Sequence, residues 1–352
     1  MTSSERLART FRRVGLEPAG QEAFDADRGM VVADAGWVFD ESLIRALAGR
    51  PNVVLVDDDD VPAAVHASVN ATQAAAELMI AAAVATPPGY ARLTALELGS
   101  SYNSELRKRE PPILRRLTKA DVRGVEKRLF QGAYKGVTDL VTKYLWPTPA
   151  RVVTRWCALA GVTPNQVTFA SFLLVVLAFA LFWTGHFGWG LAAAWAMTFL
   201  DTVDGKLARV TLTSSRIGNF FDHGIDLVHP PFWWWAWLTG VQAAGLLQHE
   251  AMLILCVVVG GYVAQRLIEG AFLTLFKVEV HAWRPFDSFF RLITARRNPN
   301  LLLLTGASLA GRPDLGMELV AVWTAISLAV HGVQVLQAMA TPRGEVTSWL
   351  AR

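Results

Sequence analysis

Four aspartates fall within 26 residues, in the stretch LDTVDGKLARVTLTSSRIGNFFDHGIDL: Asp201, Asp204, Asp222 and Asp226. On a helix, Asp201 and Asp204 are three apart and share a face, and Asp222 and Asp226, four apart, do likewise. If the two helices lie side by side, the four carboxylates converge. Converged carboxylates repel unless a cation neutralises them, and Mg²⁺ favours carboxylates together with phosphate oxygens of a substrate. Two such ions, about 4 Å apart, can hold both the attacking and the leaving oxygen of a phosphoryl transfer. Gly205 lets a nucleotide approach the backbone closely, and Arg209 suits a phosphate. A single aspartate at a helix end is commonly solvated or a cap. Four of them at the ends of apolar helices, where ionised groups are costly, point to function.

The elements that carry them read as membrane helices. Apolar residues make up 53% of the 352 and charged residues 18%, with a mean hydropathy of +0.32. The average hides a division: residues 1–150 are charge-rich, whereas 166–340 hold long apolar runs. The fold class expected is mainly α: a six-helix transmembrane bundle preceded by interfacial helices and a small N-terminal α/β domain. The spans fall at about 166–183, 188–209, 218–243, 250–276, 298–311 and 315–340. The fifth is short for a hydrocarbon layer of ~30 Å. Lys and Arg crowd the segment before the first span and the loop 277–297, while the connectors 184–188 and 248–250 carry none. The positive-inside rule then places both termini and the aspartates on the cytoplasmic side of an inner membrane. A net charge of +3 gives no reason to expect nucleic acid as a partner. Cys157 and Cys256 read as buried thiols.

Three regions are expected: a cytoplasmic α/β domain over 1–110, a basic linker with interfacial amphipathic helices over 111–160, and the membrane domain over 161–342. In the first, Met30–Ala35 and Asn52–Val56 are apolar runs, Asp40 suits the N-cap of a helix Glu41–Ala48, and the alanine-rich 61–85 reads as helix. Asp57–Asp60 reads as an acidic solvated turn, with a metal site as the alternative. Residues 104–160 read as helices with basic faces, broken at Pro111–Pro112 and at Pro147 and Pro149. Aromatics such as Tyr144 and Trp146 interleave there with Lys135 and Lys143, as in a helix lying in the interface.

The aspartate stretch reads DxxDGxxARx8GxxxDxxxD without departure, and this resembles the CDP-alcohol phosphotransferase family. The resemblance implies a six-helix membrane fold, a homodimer and a dinuclear site for Mg²⁺ (or Mn²⁺), with Asp201, Asp204 and Asp222 binding metal. It implies that Asp226 is the base for the acceptor hydroxyl and also touches metal. Gly205, Ala208 and Arg209 would sit against the CDP group, with Thr202 and Thr213 as further candidates. The preceding TPNQVT, Thr163–Thr168, is similar to the family's entry to its first span; Asn165 either faces the nucleotide or caps the helix. Residues 105–175 and 277–316 resemble the subgroup with an N-terminal nucleotidyltransferase-like domain, as in archaeal di-inositol-phosphate synthases. The glycine-rich loop of such a domain does not occur in 1–60, so the domain reads as a degenerate, non-catalytic relative.

The reaction implied is attack of an acceptor hydroxyl on the phosphate of a CDP-linked donor, CDP-diacylglycerol or CDP-inositol, with release of CMP, amid membrane lipid. Lys135, Arg266, Arg284, Arg296 and Arg297 are candidates for binding a phosphorylated acceptor such as an inositol phosphate; the alternative for them is topology-setting charge. Glu269 lies close enough to Arg266 for an internal ion pair, and His223 reads as support for a ligand. Two other readings compete. An aspartate-rich membrane prenyltransferase would spread its acidic clusters over distant loops, and a cation transporter would carry acids in the middle of several spans.

Overall fold

The structure, a computed structural model, describes residues 2–17, 29–68, 88–214, 216–246 and 250–352; of Arg216, Ile217, Asn219, Asp222 and His223 only the backbone is described. The chain divides into two compact units, residues 1–134 with 210–212, and residues 135–209 with 213–352.

The first unit begins with helix α1 (Ser3–Arg13), followed by strands β1 (Met30–Ala33) and β2 (Trp37–Phe39), helix α2 (Glu41–Ala48), and strands β3 (Val53–Val56), β4 (Pro62–Ala67) and β5 (Ala91–Thr94). A four-stranded sheet runs β1-β4-β3-β5, antiparallel except for the parallel pair β3–β5. One face of it buries Leu43, Ile44 and Leu47 of α2. The small α/β region is thus present. Pro62–Ala67, expected as the start of a helix, is instead a strand: Val65 and its alanines are buried, and a narrow site between β1 and β3 outweighs alanine's helix propensity. The rest of that expected helix, from 69, lies outside the described residues. Asp40 does stand at the N-cap of α2, but its side chain makes no cap bond and accepts instead from the Ile113 amide at 2.8 Å. Burial pushes the Asp40 carboxyl up, against that bond and the charges of Lys108, Arg128 and Arg6. The acidic turn closes on itself: Asp57 accepts from the amides of Asp59 and Val61, and Asp60 pairs with Arg92 at 2.8 Å.

Residues 102–116 also depart from the helical expectation. They form strands β6 (Tyr102–Asn103), β7 (Lys108–Arg109) and β8 (Leu114–Arg116), with β8 paired to β2. The short helix α3 (Ala95–Leu98) precedes them, and helix α4 (Val122–Gly132) follows.

Among the described residues, the regular elements of the second unit are all helices. A π-helical turn at Val141–Leu145 leads into α5 (Pro147–Ala160). Pro147 opens that helix rather than breaking one, since a first-turn N–H needs no helical partner. Tyr144, Trp156 and Leu159 are exposed here. Then come α6 (Pro164–Trp183), α7 (Phe187–Thr211), α8 (Arg216–Ala243), α9 (Ala251–Phe276), α10 (Pro285–Phe290), α11 (Arg297–Leu309) and α12 (Pro313–Ala340). Among the described residues, α6, α9 and α12 are long and apolar enough to cross a membrane. The protein is an integral membrane protein, mainly helical. Cys256 is exposed on α9 and Cys157 half-buried, both free. This corrects the reading of buried thiols: apolar neighbours in sequence mean a lipid-facing position as readily as a core one.

The core joins α6, α7, α8, α9, α11 and α12 around Phe182, Met197, Trp237 and Met317. Its indoles find acceptors: Trp233 donates to the Val175 carbonyl at 2.9 Å and Trp237 to that of Pro313 at 3.0 Å. Backbones approach closely at Gly240, where an added Cβ would lie 2.1 Å from the Phe182 carbonyl oxygen. Backbone cannot yield as a side-chain tip does, so Gly240→Ala is expected to cost about 1–3 kcal/mol. Detergent-solubilised protein melting at the wild-type temperature would contradict this.

Candidate functional site

The site is built where α7, α8 and α11 meet. Asp201 and Asp204 stand on consecutive turns of α7, and Asp226 on α8. Asp222 lies on α8 one turn before Asp226; its side chain is outside the described residues. The cation that draws the carboxylates together is Arg297, the first residue of α11. Its Nη2 reaches Asp201 Oδ2 and its Nη1 reaches Asp226 Oδ1, each at 2.5 Å. Asp204, buried, accepts from Thr168 Oγ of α6 at 2.7 Å.

Local structure explains the placement. Thr163 caps α6 through a capping box with Gln166, and Pro164 sits at N1, so Thr168 falls on the first buried turn. The cap is therefore Thr163; Asn165 is exposed on the first turn. In α8, Pro230 and Pro231 lack the N–H groups that would bond to the carbonyls of Asp226 and Leu227 four residues earlier. The hydroxyl of Tyr262 on α9 takes up the Leu227 carbonyl at 2.9 Å. The helix is thus opened at the turn that carries Asp226 and repaired by a neighbour, as membrane helices with internal proline require. Tyr262→Phe would leave that carbonyl unsatisfied at a cost of about 1–3 kcal/mol. The check is thermal melting; an unchanged transition would mean that another group takes the bond.

Arg297 is aimed by a second network. Asn298 donates to Asp139 Oδ1 at 3.0 Å, and the same oxygen accepts from the Thr142 amide at 3.0 Å. Burial pushes the Asp139 carboxyl up, but the Arg291 charge and these bonds outweigh it and hold Asp139 below its usual range. The ionised Asp139 thereby ties the π-helical turn to the start of α11.

The nucleotide candidates lie on or after α7. Thr202 is buried and donates to its own helix at the Thr198 carbonyl, 3.2 Å away. A Cβ at Gly205 would come within 3.1 Å of Arg209 Nη2, so glycine leaves the space in which that guanidinium lies. Ala208 and Arg209 are half-buried, and Thr213 is exposed. Lys206, buried, lies within electrostatic range of Asp201, Asp204, Arg209 and Lys135.

The acceptor candidates divide. Arg266 and Arg296 meet on Glu269, the former at 2.7 Å from Oε1 and the latter on Oε2. His281 Nε2 is 3.1 Å from Glu269 Oε1 and His331 Nε2 3.9 Å from it. Arg284 is elsewhere, held by buried Asp287 at 2.9 Å and stacked on Trp283. Glu269, His281 and His331 place ligand atoms within 4.8 Å of one another, a spacing a metal can bridge. Charge argues against a cation there. One carboxylate faces two guanidiniums, and burial pushes His281 well below its usual range, leaving it neutral. The surplus is positive, and buried Arg266 Nε and Arg296 Nε have no hydrogen-bond partner among the described residues. Such a set suits an anion.

The aspartate set suits a divalent ion. Its donors are carboxylate oxygens from two helices, the hard ligands Mg²⁺ takes. The position between Asp201 and Asp226 already holds positive charge, with Arg297 Nη1 and Nη2 standing where a cation would contact the same oxygens. Sequence reasoning did not single out Thr168, Tyr262, His281 or His331, and it left Arg297 between a phosphate ligand and topology-setting charge without foreseeing its contacts with Asp201 and Asp226. Thr168 lay within the quoted TPNQVT; a lone histidine in an apolar helix gave no spacing to read.

Residues 161–330 match the model of the family described as CDP-alcohol phosphatidyltransferase. Over 83 residues the chain is 39% identical to a phosphatidylinositol phosphate synthase of Mycobacteroides abscessus, covering 22% of this chain and 38% of that one. Over 115 residues it is 30% identical to an archaetidylinositol phosphate synthase of Pyrococcus horikoshii, covering 32% and 57%. Over 98 residues it is 37% identical to ethanolaminephosphotransferase 1 of Homo sapiens, covering 23% of each. The chain thus spans less than two thirds of the length of these relatives. Residues 161–330, where the unbroken aspartate motif lies, are the part of the chain that matches the CDP-alcohol phosphatidyltransferase family.

Proposed function

We infer that the protein transfers a substituted phosphate from a CDP-linked donor to an acceptor hydroxyl and releases CMP, making a phospholipid or an inositol phosphodiester. The observation that carries this is the meeting of Asp201 and Asp226 from two helices on one cationic position, inside the family motif. Asp201, Asp204 and Asp222, with Asp226, would hold Mg²⁺, whose charge would stabilise the departing diphosphate oxygen. Gly205, Ala208 and Arg209 would bind the CDP group, with Asn165, Thr202 and Thr213 nearby. Asp226 would take the proton of the acceptor hydroxyl as it attacks. Its side chain retains 42% exposure, so an incoming hydroxyl can reach it. Positioning and electrostatics would carry most of the rate.

Arg266 and Arg296, with their surplus positive charge, support an acceptor that bears an anionic group; Lys135 and Arg297 are the further candidates, and Arg284, already neutralised by Asp287, is the weakest. The names of the relatives that make inositol phosphate lipids favour a phosphorylated inositol as acceptor. The same reading takes all six helices from α6 to α9, α11 and α12 as spans, with the site and both termini cytoplasmic at an inner membrane. It includes the homodimer that the family resemblance implies, and a domain over 1–110 that is a non-catalytic relative of nucleotidyltransferases.

The test is direct. Purified protein with Mg²⁺ is incubated with CDP-diacylglycerol or CDP-inositol and a panel of phosphorylated and plain alcohols, and CMP release is followed. CMP should appear with a phosphorylated acceptor and vanish with EDTA. Folded protein that yields no CMP with any pairing would refute the proposal.

A further inference from the structure

The contact of Arg297 with the aspartates has a physical consequence. Its guanidinium is 15% exposed and uses both terminal nitrogens on carboxylates from different helices, Asp201 of α7 and Asp226 of α8. Met197 Sδ lies 3.7 Å from Nη1. The guanidinium bonds the oxygens that a divalent ion would coordinate. A guanidinium and a divalent ion on the same oxygens repel, and around a guanidinium only 15% exposed that repulsion is incompletely screened. One of them must yield.

We propose that Arg297 is a resident counter-ion: it neutralises Asp201 and Asp226 before metal arrives, is exchanged for the metal on loading, and thereby sets the metal affinity. The inference rests on the reading of the aspartates as metal ligands. In this arrangement α7 and α8 do not hold two adjacent bare carboxylates against each other, and the site forms before any ion is bound. The base of α11 is pinned by the Asn298–Asp139 bond, so exchange is a swing of the Arg297 side chain and not a shift of the helix. Once released, the guanidinium lies beside the loaded site with its charge available to an anionic substrate group. Metal loading and substrate binding are coupled by that release. Lysine cannot replace arginine fully here, because one ammonium is a point charge without the planar fork that bridges two carboxylates.

The experiment measures Mn²⁺ binding to the detergent-purified full chain by electron paramagnetic resonance, for wild type, Arg297→Gln and Arg297→Lys, together with melting in EDTA and at saturating Mn²⁺. Removing the competitor should tighten Mn²⁺ binding by about 10–100-fold, the scale on which groups bonded to ligating carboxylates alter metal affinity. Arg297→Gln should also melt lower than wild type in EDTA and approach it at saturating Mn²⁺. Arg297→Lys, which keeps a charge, should fold more readily and show a smaller rise in affinity. A structural role alone would weaken metal binding, so equal or weaker Mn²⁺ affinity in both folded variants overturns the proposal. If wild type and variants alike bind no Mn²⁺, the metal reading of the aspartates falls first and the inference with it.

Discussion

Asp226→Asn is expected to abolish measurable CMP release. Removing a positioned general base costs about 10²–10⁴-fold, and Asp226 carries a second duty because its carboxylate shares Arg297 with Asp201. Asparagine keeps the shape and one carbonyl oxygen for the guanidinium, so the helices should stay together. It loses the negative charge and the capacity to accept a proton. The comparison is made at saturating Mg²⁺, with CDP binding measured separately, so that loss of chemistry is distinguished from loss of an occupied site. CDP affinity should change little beside the collapse in turnover. Turnover within about tenfold of wild type would show that another group takes the proton, and tenfold is only about 1.4 kcal/mol of barrier.

Glu269→Gln should be among the most destabilising neutral replacements in the helical unit. Glu269 is one carboxylate serving Arg266, Arg296 and His281. Glutamine preserves volume and leaves two guanidiniums facing each other. Breaking a buried pair by removing one partner costs about 3–5 kcal/mol. The low end applies here, because Arg266 and Arg296 keep 21% and 24% side-chain exposure. The loss should be partly recovered by an added phosphorylated acceptor or by inorganic phosphate, since an anion restores the missing charge. A variant that melts like wild type and gains nothing from phosphate would mean that the cluster is neither electrostatically strained nor an anion site.

Much of the helical unit is legible in the sequence, and the reason is physical. Long uncharged runs such as those of α6 and α12 have one stable form in lipid, a helix that satisfies its own backbone, so their ends can be read from charges and prolines to within a few residues. The fifth expected span departs from that pattern. α11 has 13 residues, about 20 Å at 1.5 Å per residue, against a hydrocarbon layer of ~30 Å. The aspartates could be found because their spacing is local. Their partners could not: Arg297 meets Asp201 across 96 positions and Asp226 across 71, and no periodicity encodes such a pairing. Tyr262 was equally hidden, although the prolines it answers are plain in the sequence. In the N-terminal unit Pro62–Ala67 misled because alanine favours helix by default, while its place between two strands decided otherwise. Asp40 shows the same lesson at one residue: the position follows from sequence, but its bond goes to Ile113, 73 residues away.

If carboxylates of α7 and α8 converge on divalent metal, crystals of the protein soaked in Mn²⁺ and measured at the manganese edge should reveal it. Anomalous peaks should lie within coordination distance of the carboxylate oxygens of Asp201, Asp204, Asp222 and Asp226, with Arg297 moved off them. Peaks at Glu269, His281 and His331 alone, or none near α7 and α8 while Arg297 still bridges Asp201 and Asp226, would contradict it.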